Sequence, residues 1–198
     1  MPKQSEPRQQ SSGPDVGNLG HLRERLFATR TVLVFGEITV DVAQTTSAQL
    51  IALAAKNDRP IRVLVHSPGG HVESADTVFD LVRAIDAPVT MLATGWVASA
   101  GALVYASVPR DRRLALPNTR FLLHQPLGTM SGPATDVEIE ARQIQVMRKR
   151  LVRTFADATG QSPERIERDS DRNYWLNARE AVEYGLVGQV VSTWAFER

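Results

Sequence analysis

The chain has 198 residues, and its 23 basic side chains nearly balance its 22 acidic ones. This length fits one domain with a single core. A net charge of +1 does not indicate binding to a nucleic acid or to an acidic substrate. The absence of cysteine excludes disulfides, thiolate metal sites and a cysteine nucleophile, and it is typical of a reducing compartment. Covalent chemistry would therefore fall to serine, threonine or lysine.

The first 18 residues are rich in Gln, Ser, Pro and Gly and carry few apolar side chains. Such a segment buries too little apolar surface to offset the conformational entropy that it would lose on folding. We therefore expect residues 1–18 to be a disordered tail and residues 19–198 to form one domain. The tail lacks the apolar core of a signal peptide. No apolar run reaches the roughly 18 residues that a membrane-spanning helix needs, so we expect a cytoplasmic protein.

Short β-branched runs alternate along the chain with helical patterns. Strands buried on both faces are predicted at residues 31–35, 61–65, 88–93 and 121–123. Helices are predicted between them at residues 42–55, 72–85 and 99–107. This alternation predicts an α/β fold.

A much longer helix is predicted over residues 133–159, with Pro133 in its first turn and Gly160 at its end. Its apolar residues fall on one face, at Val137, Ile144, Met147, Leu151 and Phe155. Such a helix would be about 40 Å long and would project beyond its domain. Its natural partner is another copy of the chain. The alternative is a long helix folded back over its own sheet.

Three segments that could carry chemistry each follow a predicted strand. They are Ser67-Pro-Gly-Gly70, Ala98-Ser99-Ala100-Gly101 and His124-Gln-Pro-Leu-Gly128. Ligand sites of open α/β sheets lie beyond the carboxyl ends of the strands, so these segments can meet in one cleft.

Each residue in these segments has an ordinary explanation as well as a catalytic one. Ser99 has small neighbours, as a nucleophile requires, but Val97 breaks the G-x-S-x-G pattern and Ser99 could simply cap a helix. His124 could be a general base or a hydrogen-bonded histidine at a strand end. The glycines could form a plain turn, or the Gly70 and Ala100 amides could stabilise an oxyanion. The order of the three segments favours catalysis.

Together the three segments resemble the ClpP family of ring-forming serine peptidases. The similarity extends over residues 22–190 and includes Leu116-Pro-Asn118, Gly160-Gln-Ser162 and Glu180-Ala-Val-Glu-Tyr-Gly-Leu186. The resemblance implies a ClpP/crotonase-like superhelical α/β fold with a long handle helix. It also implies a tetradecamer of two stacked heptameric rings that encloses a proteolytic chamber for protein quality control. The partner would be an AAA+ unfoldase such as ClpX or ClpA, which uses the ATP, while the subunit itself needs no cofactor.

The resemblance also assigns roles to individual residues. Ser99 corresponds to the nucleophile, His124 to the base, and Gly70 and Ala100 to the oxyanion amides. The triad aspartate is replaced by Asn173, in the stretch Arg168-Asp-Ser-Asp-Arg172-Asn173. An amide can orient the imidazole but cannot neutralise the positive charge of the imidazolium. In an unrelated serine protease the exchange of Asp for Asn lowers the turnover rate by a factor of about 10⁴. Asp171, two residues earlier, could orient His124 instead or join an inter-ring salt bridge with Arg172.

Three functions are compatible with these features. The first is a serine endopeptidase that cleaves unfolded proteins and peptides. The second is a weakly active ring subunit that supports an active ClpP paralogue, for which Asn173 is the main argument. The third is a crotonase-type enzyme acting on an acyl-CoA, because its fold and paired oxyanion amides would look similar.

Overall fold

The computed structural model describes residues 16–126 and 132–194, with side chains described from residue 20 onward. In chain order the elements are α1 (Val16–Ala28), β1 (Thr31–Phe35), α2 (Val40–Lys56), β2 (Ile61–Ser67), α3 (Val72–Ala84), β3 (Val89–Ala98), α4 (Ala100–Tyr105), β4 (Arg113–Ala115), β5 (Arg120–Leu123), α5 (Ala134–Thr159), α6 (Pro163–Asp169), β6 (Tyr174–Asn177), α7 (Ala178–Tyr184) and β7 (Gln189–Val190). A short 3-10 turn, Arg110–Arg112, precedes β4.

The strands of the described ranges form one sheet. Its main path is parallel, in the order β1-β2-β3-β4-β7. β5 leaves this path: it pairs in parallel with the carboxyl end of β3 and antiparallel with β6. The predicted α/β class is therefore confirmed, and β3 has two different neighbours along one side.

A bulge in β3 explains how this strand pairs with both β4 and β5 along the same side. The register with β2 passes from Val65↔Ala93 to Ser67↔Val97, so β3 holds extra residues there. Gly95 lies at φ +62, where a methyl group would come within 2.6 Å of the His66 imidazole. The amide of Trp96 donates a hydrogen bond to His66 Nδ1 at 3.3 Å. The bulge bends β3 away from β4, so that β5 can pair beyond it.

The four predicted strands are present, but the prediction that they are buried on both faces is wrong for the sheet edge. Leu33 and Phe35 of β1 are 41% and 47% exposed. On β2 buried residues alternate with half-buried ones. Leu33 and Phe35 alternate with the buried Val32 and Val34, so one face of β1 packs on the core and the other face is largely uncovered.

The predicted helices appear as α2, α3 and α4. Thr39 caps α2 by accepting a hydrogen bond from the Val42 amide at 3.2 Å. α3 packs against both α2 and α4. All six residues of α4 are buried, because its small side chains let it lie against β2 and β3. The core therefore sits directly behind the start of α4.

The long helix is confirmed as α5, and only its carboxyl end is fully buried. Phe155, Ala156 and Thr159 are buried, whereas Ile139 is 51% and Val146 61% exposed. The predicted apolar stripe does face inward, with its other members half-buried. The amino-terminal part of α5 is thus mostly exposed, which favours the projecting helix over the folded-back one.

Several elements follow no strong sequence pattern and were not predicted. They are α1, α6, α7 and the short strands β4, β6 and β7. Asn177 and Glu180 form a capping box that starts α7 directly after β6. Of the predicted tail, residues 1–15 lie outside the described residues, whereas residues 16–18 belong to α1. No helix of the described chain is long and apolar enough to cross a membrane.

Candidate active site

Ser99 lies between β3 and α4 in a conformation that serine rarely adopts. Its φ is 51° and its ψ is −121°, and only Arg30 shares a positive φ among the described residues other than glycine. The Ser99 amide donates to the Leu122 carbonyl of β5 at 2.9 Å, which holds the turn in place. Strain of this kind is characteristic of functional positions.

The hydroxyl of Ser99 does not cap α4. Ser99 occupies the N-cap position, yet its side chain accepts no hydrogen bond from the helix. Within the described part of the chain the hydroxyl has no partner at all. The alternative of an ordinary helix cap is therefore wrong, and the hydroxyl is free to react.

The Pro-Gly-Gly segment lies against Ser99. A methyl group on Gly69 would come within 2.7 Å of Ser99 Cβ and 3.0 Å of the Ala98 carbonyl. Gly69 and Gly70 also have φ values of +102 and +145. Only glycine permits both this conformation and this approach.

Two backbone amides, one next to Gly69 and one next to Ser99, are unpaired. The amides of Gly70 and Ala100 have no acceptor among the described residues, and the first amides of a helix lack an intrahelical partner. Gly70 itself is anchored because Ile38 donates to the Gly69 carbonyl and accepts from His71, both at 2.8 Å. Fixed, unpaired amides are what an oxyanion hole requires.

His124 follows the last residue of β5 and lies half-buried beside the same small cavity as Ser99. The remaining lining is mainly apolar, from Val72, Ala100, Leu103, Leu123, Pro126, Leu151 and Phe155. α5 thus supplies one wall of the cavity. No hydrogen bond joins the Ser99 hydroxyl to the imidazole within residues 16–126 and 132–194. Catalytic hydrogen bonds of this kind often form only when a substrate is bound.

The structure places neither candidate for the third triad position against His124. Nδ1 of His124 lies 2.7 Å from the carbonyl oxygen of Gln125. Asn173 is exposed and has no hydrogen bond in the described part of the chain. The carboxylate of Asp171 instead lies 3.7 Å from Arg148 of α5. Asp171 therefore has its partner on α5 and does not contact the imidazole in this structure.

The strand register shows how close Asn173 nevertheless lies. β5 and β6 pair as far as Leu123↔Tyr174. The next pair in this antiparallel register would be His124 with Asn173, on one face of the sheet. The segment after β5 and the segment before β6 diverge there, because the Gln125 amide donates a hydrogen bond to the Ser170 carbonyl at 2.7 Å. Asn173 is thus next to the imidazole in register and not in contact with it.

Gln125 was not among the residues predicted for the site. It carries the only acceptor that contacts the imidazole among the described residues. The available signal was its place between His124 and Pro126, because a residue before proline is restricted in conformation. The last part of the third segment, residues 127–128, lies outside the described residues. In the described chain no group of three or more His, Asp or Glu side chains could hold a metal ion.

A serine at a strained strand-to-helix turn, a histidine directly after the neighbouring strand and two free amides form the arrangement that serine hydrolases use, and here it is built on an α/β core. Comparison with known proteins identifies the family. Residues 17–194 match the family model described as Clp protease. The chain belongs to the Clp protease family.

Curated relatives match over most of their length. The chain is 55% identical over 175 residues to the ATP-dependent Clp protease proteolytic subunit 2 of Gluconobacter oxydans (strain 621H), covering 87% of this chain and 78% of the relative. It is 47% identical over 188 residues to the protein of the same name from Pseudomonas aeruginosa, covering 94% of each. These names support a peptidase.

Solved structures show the same fold. ClpP1 from Listeria monocytogenes matches with a TM-score of 0.78 at 44% identity, covering 87% of this chain and 96% of that one. An Asn-to-Asp mutant of the same ClpP1 matches with a TM-score of 0.82 at 43% identity and the same coverage. The predicted ClpP-type fold is confirmed.

Proposed function

We propose that this chain is a serine endopeptidase subunit that cleaves unfolded proteins and peptides, with Ser99 as nucleophile and His124 as general base. The observation that carries the proposal is the Ser99 turn. Its hydroxyl is unbonded, it shares a cavity with His124, and the free amides of Gly70 and Ala100 flank it. A plain structural turn would not need an uncapped serine at positive φ.

The proposed reaction proceeds in two steps. The Ser99 oxygen attacks the peptide carbonyl while Nε2 of His124 takes its proton, and the Gly70 and Ala100 amides bind the oxygen that becomes negative. The tetrahedral species collapses when the imidazolium returns the proton to the leaving amine, which leaves an acyl-enzyme. Water then attacks the acyl group, again through His124, and releases the acid and Ser99.

The proposed setting is a chamber of two stacked heptameric rings, fed by an AAA+ unfoldase such as ClpX or ClpA. The unfoldase would use ATP, and the subunit itself would need no cofactor. The relatives' names contain the words ATP-dependent, and α5 presents exposed apolar side chains away from its own body. We place the protein in the cytoplasm.

A fluorophosphonate probe tests the proposal. We expect covalent labelling of the assembled protein, with the mass shift on the peptide that contains Ser99. Ser99→Ala should abolish both labelling and peptide cleavage.

Ser47→Ala is the matched control, because the Ser47 hydroxyl of α2 is buried without a hydrogen-bond partner in the described chain. Its loss should leave folding and labelling unchanged. Failure of the assembled wild-type protein to label would contradict the proposal.

A second candidate is a weakly active ring subunit that partners an active ClpP paralogue. It is favoured by the exposed Asn173, which makes no contact with the imidazole. A neutral amide would leave the imidazolium of the transition state without a counter-charge, and turnover would be low. Relatives with the numbered names subunit 2 and subunit 3 fit a family with several proteolytic subunits.

Asn173→Asp separates the two candidates. If the triad is impaired, this change should raise peptide cleavage by about 10²-fold or more, toward the value of an intact triad. Asn118→Asp adds the same charge at another exposed asparagine and should change nothing. An unchanged rate in Asn173→Asp would remove the case for a weakly active subunit.

A further inference from the structure

Gln125 ties the segment after β5 to the turn that follows α6. Its backbone amide donates to the Ser170 carbonyl at 2.7 Å, and its side-chain Nε2 donates to the Asp171 carbonyl at 2.9 Å. Ser170 is fixed in turn, because its hydroxyl donates to the Ile166 carbonyl at 2.6 Å. Two hydrogen bonds therefore hold Gln125 to the turn that follows α6.

The carbonyl of Gln125 has a restricted direction. Pro126 follows, and the proline ring disfavours the helical region for the residue before it. With its amide and side chain both anchored, Gln125 presents its carbonyl oxygen 2.7 Å from Nδ1 of His124. A carbonyl oxygen can only accept, so Nδ1 carries the proton and Nε2 keeps its lone pair.

We infer that Gln125 is a positioning residue for His124, an inference that rests on the proposed peptidase function. Its backbone carbonyl fixes the imidazole tautomer in which Nε2 can take the proton of Ser99. A triad carboxylate has two roles: it orients the imidazole and it stabilises the imidazolium. The Gln125 carbonyl performs the first role, but because it is neutral it does not perform the second.

The side chain of Gln125 is the part of this arrangement that mutation can remove. Without the bond to Asp171, the segment keeps only its backbone bond to Ser170, and the carbonyl gains freedom to turn. Gln125→Met keeps a side chain of similar length and removes the donor. Gln161→Met is the matched control, because Gln161 Nε2 also donates to a backbone carbonyl, that of Tyr184, at 2.9 Å and away from the cavity.

The tautomer can be read without catalysis. The sequence contains 4 histidines, so solid-state ¹⁵N spectra of sedimented, histidine-labelled full-length protein should be simple, and His124→Asn would assign the signal. At pH 8 we expect His124 to be protonated on Nδ1 in the wild type and in Gln161→Met, and mixed between tautomers in Gln125→Met. An Nε2-protonated wild type, or an unchanged spectrum in Gln125→Met, would overturn the inference.

Kinetics provide the second readout. Loss of one hydrogen bond should lower kcat of Gln125→Met about tenfold with KM within about twofold. Gln161→Met should match the wild type. An effect on KM alone, or an equal loss in Gln161→Met, would show a merely structural role. If Ser99 fails to label while the spectra are as expected, the peptidase proposal fails and the orientation of the imidazole stands.

Discussion

At the scale of single residues, the site depends on positions where only glycine fits. Gly69 has both a positive φ and a neighbour in contact, since a methyl group would lie 2.7 Å from Ser99 Cβ. Gly101 faces Ser67 in the same manner, at 2.8 Å between its would-be Cβ and Ser67 Cβ. The absence of side chains therefore lets two strand ends and α4 meet around Ser99.

We predict that Gly69→Ala destabilises the protein by about 2–4 kcal/mol, from left-handed strain plus overpacking. Gly36→Ala is the matched control, because Gly36 has φ +85 and open space around its would-be Cβ. It should cost only the strain, about 1–2 kcal/mol. Urea unfolding of both variants measures the difference, and equal losses would contradict the packing argument.

At the scale of elements, two arginines fasten α5 to the body by different means. Arg113 is buried and donates to the carbonyls of Ala158 and Leu186, while its Nε has no partner in the described chain. Burial lowers the pKa of Arg113. Arg150 lies near the surface and pairs with Asp76 of α3, a hydrogen bond that raises the pKa of Arg150.

We predict that Arg113→Met lowers the free energy of unfolding by about 2 kcal/mol, because two carbonyls lose their donor in a buried place. Arg150→Met should cost less, about 1 kcal/mol, since the Arg150 side chain is 46% exposed, although the side chain of its partner Asp76 is only 17% exposed. Chemical denaturation of the two variants gives the comparison. A larger loss in Arg150→Met would show that the ion pair, not the carbonyl contacts, fastens the helix.

At the scale of the whole molecule, α5 leaves apolar surface without a cover in a single subunit. Ile139 and Val146 lie two turns apart and are both more than half exposed. The inward stripe of the same helix, ending at Phe155, is used by the body. A second apolar face of this kind fits contact with another copy of the chain.

We therefore predict that Val146→Glu shifts the protein from the proposed ring assembly toward smaller species, because a charge would be buried in the proposed subunit contact. Gln145→Glu makes the same charge change at an exposed polar position and should leave assembly intact. Light scattering after size-exclusion chromatography measures the mass. An unchanged assembly in Val146→Glu would place this face outside the contact.

The sequence alone determined the features that depend on local pattern. Strand and helix alternation, the stripe of α5 and the three segments after strands follow from side-chain periodicity and turn residues, and the structure bears out the strands and helices. The short strands β4, β6 and β7 were missed, because two to four residues hold no detectable period. The sequence also pointed to Ser99 and His124.

Only the tertiary structure decided how these residues meet. The bulge at Gly95 that brings β5 beside Ser99, the positive φ of Ser99, and the contact of His124 with the Gln125 carbonyl all depend on residues distant in sequence. Asn173 lies next to His124 in register, yet the bonds of Gln125 to Ser170 and Asp171 separate them. The reason is physical: local pattern sets each element, whereas nonlocal hydrogen bonds and packing set the geometry between elements.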